Sequence, residues 1–406
     1  MGAPLSKYFS GIGAKRLSAV EIKPNTSNQH EFNGTSNLKK IFGTDKIEFS
    51  GKFIYLTDEE DNVLEEESNL TWYDARKKHP TRTEHRLYYA HNDIIAKASV
   101  GDLVIIGRLA QHQLAIIIAK AGSTSEKQLL WLFGLSEVEN KVIVKDLSED
   151  KKDLGFAGNY IISSLGFEIE ATIPDYLQLI LERFGENFPT TALFSEFART
   201  TIKNISPVED PDDALLSFIQ QEELLFRTLE RHLVQKKLKG GFGKDGLDVD
   251  EFINFSLSIQ NRRKSRAGFA FENHLAFIFK MNKVHFTKKG KTENNYEPDF
   301  LFPGINYYWN EDFKTDLLTM LGLKTTAKER WRQILSEANK IWPKHLITLE
   351  PAISKNQTDQ MKVEKVQLII PKGLMQTYSK EQQNDLITLS DFIKHILNKQ
   401  DKHQKA

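Results

Sequence analysis

The sequence predicts a two-domain protein in which a mainly β domain precedes an α/β domain. Its 406 residues exceed what one hydrophobic core usually supports. The first part of the chain holds short runs rich in β-branched and aromatic residues, separated by turn signals, which is typical of a barrel or sandwich. Later, strand-like runs alternate with helical ones, which favours an α/β sheet. The expected division is a β domain at 1–170, a helical connector at 171–205 and an α/β domain at 206–406.

Short apolar or alternating runs give the strands of the first domain. They are FIYL (53–56), HRLYYA (85–90), GDLVIIGRL (101–109), QLAIIIAK (113–120), QLLWLFGL (128–135) and KVIVKDL (141–147). The acidic run at 58–69 is interpreted as a solvated loop. The run SPVEDPDD (206–213) reads as a linker, with Asp212 or Asp213 as the N-cap of the next helix.

Helical periodicity over 213–239 and 249–283 predicts two long helices, separated by a glycine-rich turn. The strands expected after them are KVHFTKK (283–289), DFLFP (299–303), LLTMLGLK (317–324), HLITLE (345–350) and KVQLIIP (365–371). A helix is predicted over 327–341, opened by a capping box of Thr326 and Glu329. The last eight residues are expected to fray.

Composition removes several classes of function. A formal net charge of zero argues against a protein that coats nucleic acid indiscriminately, although local basic patches still permit specific binding. The absence of cysteine excludes disulfides, thiolate nucleophiles and cysteine zinc sites. No apolar run is long enough to span a membrane, and the N-terminus lacks the pattern of a secretory signal.

Three residues have the layout of a metal-dependent phosphodiesterase. Asp299 follows a proline and precedes an apolar strand, Lys324 ends the next strand, and Glu337 follows thirteen residues later. Cleavage of a phosphodiester needs carboxylates for a divalent metal and a cation near the phosphate. Alone, Asp299 would be an ordinary loop acid and Lys324 a solvated strand end. Glu337 could equally pair with Arg330 or Lys340 on a helix surface.

The flanking sequence resembles restriction endonucleases of the EcoRII type, which are variants of the PD-(D/E)XK superfamily. The resemblance is carried by NRRKSRAG (261–268), EPDFLFPG (297–304) and GLKTTAKERWRQIL (322–335), and more weakly by KRLSA (15–19). The usual superfamily motif has an acid two residues before the lysine, where this chain has Gly322. EcoRII-like enzymes carry that acid on the following helix, and Glu337 stands at the matching place.

This resemblance implies an α/β restriction-endonuclease-like fold and a Mg²⁺ site for the second domain. Asp299 and Glu337 would hold the metal, with nearby Glu272 as the third metal-binding and catalytic acid, and Lys324 would assist the water and the scissile phosphate. Glu272 lies in an apolar helix and could instead be a helix-surface acid. His274, two positions later, is interpreted as structural.

Two basic segments of the second domain are implied to contact DNA. Lys328, Glu329 and Arg330 match the residues that read CC/GG base pairs, a chemistry in which Arg or Lys donates to guanine and Glu accepts from cytosine. A charged helix start is the alternative. A basic run on the second long helix is expected to contact DNA phosphates or the dimer partner. The alternative is that it is only a solvated face. Its residues are Arg262, Arg263, Lys264 and Arg266. The family often has arginine or aromatic residues where Gln220 and Gln221 stand, so the central base of the target stays open.

The first domain is implied to be a β pseudobarrel that binds a second, effector copy of the site. Its expected DNA contacts are Lys15, Arg16, Arg76, Lys77, Arg82 and Arg86. The segment around 72–89 could alternatively be no more than a basic hairpin tip.

The function implied is that of a Type II restriction endonuclease that hydrolyses double-stranded DNA at a short CC…GG site. It would act as a homodimer in a bacterial or archaeal cytoplasm, be autoinhibited by its first domain and have a DNA methyltransferase as functional companion. Two other classes stay open. One is a DNA-binding regulator on an inactivated nuclease, which the intact Asp299, Lys324 and Glu337 argue against. The other is a structure-specific repair or recombination nuclease.

Overall fold

The computed structural model describes residues 3–22, 30–34, 37–58, 63–109, 112–168 and 176–404, and everything below concerns these residues. Contacts within the chain group it into two compact units. One contains residues 1–170 with 351–356, and the other contains residues 171–350 with 357–406. Among the described helices, none is both long enough and apolar enough to cross a membrane.

The first unit contains one eight-stranded sheet. Its strands are Gly11–Arg16 (β1), Glu31–Gly34 (β2), Ile47–Leu56 (β3), Leu64–Asp74 (β4), His85–Tyr89 (β5), Leu103–Arg108 (β6), Gln113–Ala119 (β7) and Ile143–Asp146 (β8). Their order is β2-β5-β4-β3-β7-β6-β1-β8, and only the β3–β7 pair is parallel. Its helices are Ala19–Ile22 (α1), Lys39–Phe42 (α2), Asp93–Lys97 (α3), Thr124–Leu132 (α4) and Gly155–Ser164 (α5), with a 3₁₀ turn at Leu5–Lys7.

Both faces of the central strands are buried. In β7, Ile116 belongs to one apolar cluster and Ile117 to the other, as the alternation of side chains along a strand requires. One cluster includes Leu129 of α4. The other joins residues from the two ends of the strand order, such as Phe32 and Val144, so the sheet curls around it. β2 and β8 end the order, which makes the sheet an open curl.

Two predictions for this unit were wrong. QLLWLFGL was expected to be a strand, but most of it lies in α4, where Ser123 caps the helix by accepting from the Glu126 N–H at 3.1 Å. A short apolar run cannot distinguish a buried strand from a buried helix. The acidic run at 58–69 was expected to be a loop, but residues 64–69 lie in β4, with Glu65 and Glu67 on its exposed face; residues 59–62 lie outside the described residues.

The second unit begins with four helices, of which the first three share an apolar core. They are Tyr176–Phe184 (α6), Thr191–Thr200 (α7), Pro211–Gly240 (α8) and Val249–Met281 (α9). Phe194 of α7 is buried with Leu225 and Phe226 of α8. The segment expected to be a connector therefore packs on the second unit. The N-cap of α8 is Asp210, not Asp212 or Asp213, because its side chain accepts from the Asp213 N–H at 2.9 Å.

A five-stranded mixed sheet follows. Its strands are Thr287–Lys288 (β9), Phe300–Phe302 (β10), Thr319–Lys324 (β11), Lys344–Thr348 (β12) and Val366–Ile369 (β13), in the order β13-β12-β11-β10-β9. β11, β12 and β13 run parallel, whereas β9, β10 and β11 pair antiparallel. The remaining helices are Ile305–Trp309 (α10), Lys355–Val363 (α11), Lys380–Gln383 (α12) and Leu389–Gln404 (α13), with 3₁₀ helices at Glu293–Asn295, Thr315–Leu317, Lys328–Ser336 and Lys372–Thr377.

Two further predictions failed in this unit. The helix expected over 327–341 is a 3₁₀ helix at Lys328–Ser336, its N-cap is Ala327, and no side chain caps it. The last eight residues were expected to fray, but α13 continues to Gln404; residues 405 and 406 lie outside the described residues. Gln400 holds α13 to the main chain of His285, accepting from its N–H at 3.1 Å and donating to its carbonyl at 2.8 Å.

Candidate active site

Antiparallel pairing brings Asp299 and the end of β11 together. Phe300 is opposite Leu321, so the start of β10 lies beside the last residues of β11. The Leu323 N–H donates to Asp299 Oδ2 at 2.7 Å. Lys324 ends β11, and its ammonium donates to Gln333 Oε1 at 3.0 Å. Burial raises the pKa of Asp299; the Leu323 N–H opposes that rise, and the Glu272 carboxylate adds to it.

Helix α9 brings Glu272 to the same place. Phe279, two turns later on that helix, packs edge-on against Phe300 and Phe302 of β10, with ring centroids 5.2 and 5.3 Å apart. The Glu272 carboxylate lies 2.7 Å from Lys288 Nζ and 3.0 Å from Lys289 Nζ. Sequence reasoning missed both lysines, because a basic pair beside a strand carries no distinctive signal.

A cleft of about 370 Å³ opens between α9 and the strand ends. Its lining consists of Ser265, Gly268, Phe269, Phe271 and Glu272 from α9, with Asp299, Leu323 and Thr325 from the sheet side. Two of the acids predicted for catalysis, Glu272 and Asp299, therefore line one solvent-accessible cleft.

Glu337 follows the 3₁₀ helix, with an extended backbone. Burial raises its pKa to about 7, and the Asp299 carboxylate adds to the rise, while the ammonium groups of Lys324 and Lys344 oppose it. Glu337 Oε2 is buried and has no hydrogen-bond partner. A buried oxygen without a partner is costly, so this atom is suited to a ligand that supplies positive charge.

The donor set fits a divalent metal through two carboxylates. Asp299 and Glu337 interact electrostatically, both have raised pKa values, and Glu337 has an unused oxygen. Mg²⁺ accepts one or two carboxylates and keeps several waters. The predicted set of three is not assembled: the described residues contain no group of three acidic or histidine side chains arranged to hold a metal. Glu272 is instead neutralised by Lys288 and Lys289.

The predicted base-reading residues lie on the 3₁₀ helix that follows β11. Arg330 is exposed, and Lys328 is half-buried with a positive φ of 32°. The side chain of Glu329 falls outside the described residues. The segment is close to Lys324, whose ammonium contacts Gln333 on the same 3₁₀ helix. Residues that read bases at this place would lie near residues that act on the phosphate.

Two buried charged residues, both missed from the sequence, hold the ends of this 3₁₀ helix. Glu350 Oε2 accepts from the N–H groups of Ala327 at 2.6 Å and Lys328 at 3.2 Å. The Lys344 ammonium donates to the carbonyls of Glu337 and Ala338, the latter at 2.7 Å. Burial lowers the pKa of Lys344 to about 8, and the negative charge of Glu337 opposes this shift.

Gly322 stands where the usual superfamily motif has its acid. A Cβ on Gly322 would lie 2.6 Å from Ile334 Cγ2. Ile334 is buried on the 3₁₀ helix, so the absence of a side chain at Gly322 allows that helix to pack on β11.

The basic run on α9 does not act as one surface. Arg266 is only 5% exposed and its guanidinium pairs with buried Glu222, so the prediction that it contacts phosphate was wrong. Arg263 pairs with Glu230 at 2.5 Å. Lys264 and Arg262 are exposed, and the Arg262 guanidinium lies 4.3 Å from the centre of the Phe188 ring.

Glu222 belongs to a buried polar network that joins α7, α8 and α9. Arg199 donates to His274 Nδ1 at 3.0 Å, so His274 Nε2 carries the proton and faces Glu222 Oε2 at 2.8 Å. Burial lowers the pKa of His274, which keeps the ring neutral. This arrangement agrees with a structural role for His274. Of the two glutamines, Gln221 donates to Thr201 Oγ1 at 2.9 Å and Gln220 is exposed.

The basic residues expected to bind effector DNA divide into two groups. Lys15 is buried and pairs with Glu21 at 2.6 Å, so it is not available to DNA and that prediction was wrong. Arg16 is used inside the fold, where it pairs with Glu126 at 2.5 Å and donates to the carbonyls of Gly101 and Val138.

The second group lies at and beside the tip between β4 and β5. Arg86 is half-buried between Glu31 and Glu84. Arg76 pairs with Glu84 at 2.5 Å but is exposed. Lys77 and Arg82 are also exposed. A basic tip is therefore present, and its DNA contacts stay a prediction.

Comparison with known proteins identifies the family. Residues 226–393 match the family model described as EcoRII C terminal. The chain is 31% identical over 334 residues to the Type II restriction enzyme EcoRII of Escherichia coli, covering 81% of this chain and 79% of that enzyme. Two solved structures of metal-depleted Ecl18kI in complex with uncleaved DNA are also similar, and the DNA in one of them is modified. Their sequence identities are 18% and 17%, and both have a TM-score of 0.45 over 56% of this chain and 84% of theirs. The chain belongs to the EcoRII-type restriction endonucleases, which bind and hydrolyse DNA.

Proposed function

We propose that the chain is a Mg²⁺-dependent endonuclease that cleaves double-stranded DNA at a short CC…GG site. The observation that carries the proposal is the buried, unpartnered Glu337 Oε2 electrostatically coupled to Asp299, whose carboxylate lines the cleft beside the end of β11. Neither carboxylate is stable as an isolated buried charge, and a metal would stabilise both.

Each side chain has a separate task in this proposal. Asp299 and Glu337 hold the metal, which when bound supplies Lewis acidity and lowers the pKa of a bound water. Lys324, oriented by Gln333, places its ammonium where charge develops on the phosphate. Lys328, Glu329 and Arg330 read the base edges. Glu272 has a supporting place at the cleft wall, because its charge is balanced by two lysines.

The remaining proposals concern the whole chain. We infer a homodimer, since two-fold symmetry matches a palindrome-like site. The β-rich region at 1–170 would bind a second DNA site through Arg76, Lys77 and Arg82 and restrain cleavage until that site is bound. Because α6 and α7 pack on α8, the catalytic region would begin at about 176 rather than at 206. The protein would act in the cytoplasm, with a DNA methyltransferase that protects host sites as its functional companion.

Plasmid digestion tests the central proposal. Unmethylated plasmid is incubated with Mg²⁺ or with EDTA, and the product ends are sequenced. We expect cleavage at one fixed position relative to CC…GG sites, and we expect it only when the metal is present. Cleavage at DNA structures without sequence preference would support a repair nuclease, and specific binding without cleavage would support a regulator.

A further inference from the structure

The 3₁₀ helix that follows β11 connects the two tasks of the site. The proposed base-reading residues are at its start, and Glu337 follows its end. A 3₁₀ helix of nine residues is long for its type, because its hydrogen bonds are poorer than those of an α-helix. Lys328 and Ala338, near its two ends, have φ values of 32° and 46°, which are costly for residues with a side chain. Something outside the helix must stabilise this shape.

Strand β12 and the residues just after it supply one charged residue to each end of this 3₁₀ helix. Glu350, two residues beyond β12 and 1% exposed, accepts from two of the N–H groups at the start of the helix. Lys344, the first residue of β12 and fully buried, donates to two carbonyls at its end. The two N–H groups are among those that a helix leaves unpaired, and the Glu337 and Ala338 carbonyls lie at and just beyond the helix end; each charge has the sign that the helix dipole favours.

Both charged residues are themselves held in place. The carbonyl of Glu350 accepts from the Tyr378 hydroxyl at 2.6 Å, and its N–H donates to Thr348 Oγ1 at 3.1 Å. The Lys344 ammonium lies 4.6 Å from the centre of the Trp342 ring. Thr348 pairs with Lys324 in the parallel register of β12 and β11, so one anchor begins the strand next to Lys324 and the other lies just beyond the end of that strand.

We propose that Lys344 and Glu350 are positioning residues with separable effects, Lys344 setting the place of Glu337 for cutting and Glu350 setting the place of Lys328 and Arg330 for reading. The inference rests on the proposed function. Neither side chain needs to touch DNA or metal, since each acts through the main chain that it holds.

The test compares two variants with two readouts. Lys344→Met and Glu350→Ala are assayed for Mn²⁺ affinity without DNA, by calorimetry, and for the ratio of affinities for cognate and random duplexes in Ca²⁺. Lys344→Met should weaken Mn²⁺ binding at least tenfold and leave the ratio within twofold. Glu350→Ala should lower the ratio at least tenfold and leave Mn²⁺ binding within twofold. Glu350→Gln should recover part of the ratio, because an amide oxygen also accepts from N–H groups.

Matched controls separate positioning from general loss of stability. Asp212 is another buried carboxylate that accepts main-chain N–H groups, from Lys372, Leu389 and Ser390. Lys399 is another half-buried lysine whose ammonium is used inside the fold: it donates to the Leu318 carbonyl and to the Thr319 hydroxyl, each at 3.0 Å. Asp212→Asn and Lys399→Met should lower the free energy of unfolding without moving either readout. If a main variant does not fold, Glu350→Gln and Lys344→Arg replace it and should show the same separation in weaker form.

Reference variants distinguish failure of this inference from failure of the proposed function. Glu337→Ala should abolish Mn²⁺ binding, and Arg330→Ala should lower the ratio. If both references behave so while Lys344→Met and Glu350→Ala change both readouts alike, or change neither, the positioning roles are wrong. If the references themselves change nothing, the proposed function fails first.

Discussion

The main-chain N–H of Leu323 donates to Asp299 Oδ2 at 2.7 Å, which ties the acid immediately before β10 to the strand that ends in Lys324. Because the donor is a main-chain N–H, any residue except proline at 323 can make this bond. It also favours the charged form of Asp299 against the effect of burial. The relative placement of the acid and the lysine is thus a property of sheet pairing.

Loss of either charge should stop cleavage without loss of recognition. Asp299→Asn keeps an acceptor for the Leu323 N–H, and Lys324→Met keeps the length of the side chain. Each should lower the cleavage rate at least a hundredfold, because both groups act on the phosphate region and neither reads bases. The measurement is single-turnover cleavage in Mg²⁺ beside cognate binding in Ca²⁺. The exposed acid Asp312, changed to Asn, is the control, and either main variant cutting within tenfold of the parent would refute the assignment.

Arg330→Ala should lose sequence discrimination. One bidentate contact to guanine contributes about 1–3 kcal/mol, and a dimer would lose it twice. Arg332, two residues later, donates to Gln360 Oε1 at 2.6 Å and provides a control with the same loss of charge. Competition binding with cognate and random duplexes gives the ratio for both variants. An unchanged ratio for Arg330→Ala, or an equal fall for Arg332→Ala, would contradict the recognition role.

Glu337 should make the stability of the metal-free protein depend on pH. Its pKa is raised from 4.5 to about 7, so the folded state holds the proton more tightly than the unfolded chain does. The free energy of unfolding should therefore fall as pH rises from about 4.5 to about 7, by at most about 3 kcal/mol from this group.

Urea unfolding in EDTA at several pH values measures this dependence. Glu337→Gln should remove the fall, whereas the exposed Glu364→Gln should leave it in place. A parent and a Glu337→Gln variant with parallel curves would show that burial of this carboxyl has no energetic effect.

Arg266→Ala should destabilise the fold and not the DNA complex. It leaves the buried Glu222 carboxylate without its guanidinium partner, a loss of about 3–5 kcal/mol. Lys264→Ala, on the exposed side of α9, should change stability by less than about 0.5 kcal/mol. Urea unfolding measures both, and the salt dependence of DNA binding should change with Arg262→Gln but not with Arg266→Ala. If Arg266→Ala were as stable as the parent and its DNA binding depended less on salt, Arg266 would contact phosphate as the sequence predicted.

Truncation should separate the proposed regulatory region from the nuclease. A fragment of residues 176–406 keeps α6 and α7 on the core around Phe194 and Phe226, whereas one of residues 206–406 exposes that core. The longer fragment should fold and cut one-site plasmid at least as fast as the full chain. The full chain should prefer two-site plasmid. A folded longer fragment without activity, beside a full chain indifferent to site number, would contradict autoinhibition.

The placement of Asp299 beside the strand that ends in Lys324 was predictable, because two apolar runs with clear ends predict adjacent strands. The setting of Glu337 was not. Arg330, Ile334 and Glu337 recur at α-helical spacing, yet the segment is 3₁₀ because Glu350 and Lys344, which lie later in the chain, hold its ends. The basic run on α9 failed for a similar reason, since the partner of Arg266 is 44 residues away and local sequence carries no record of it.

The close approach of Gly322 to Ile334 has a consequence for the position of the acid. A glutamate introduced at Gly322 would restore the acid of the ordinary motif, but its Cβ would collide with Ile334 Cγ2 and displace the segment that carries Glu337. A single substitution at 322 would therefore disturb Glu337 rather than add a second acid beside it. An acid at 322 needs a smaller residue at 334 at the same time, so the position of the acid is tied to the packing of the 3₁₀ helix on β11.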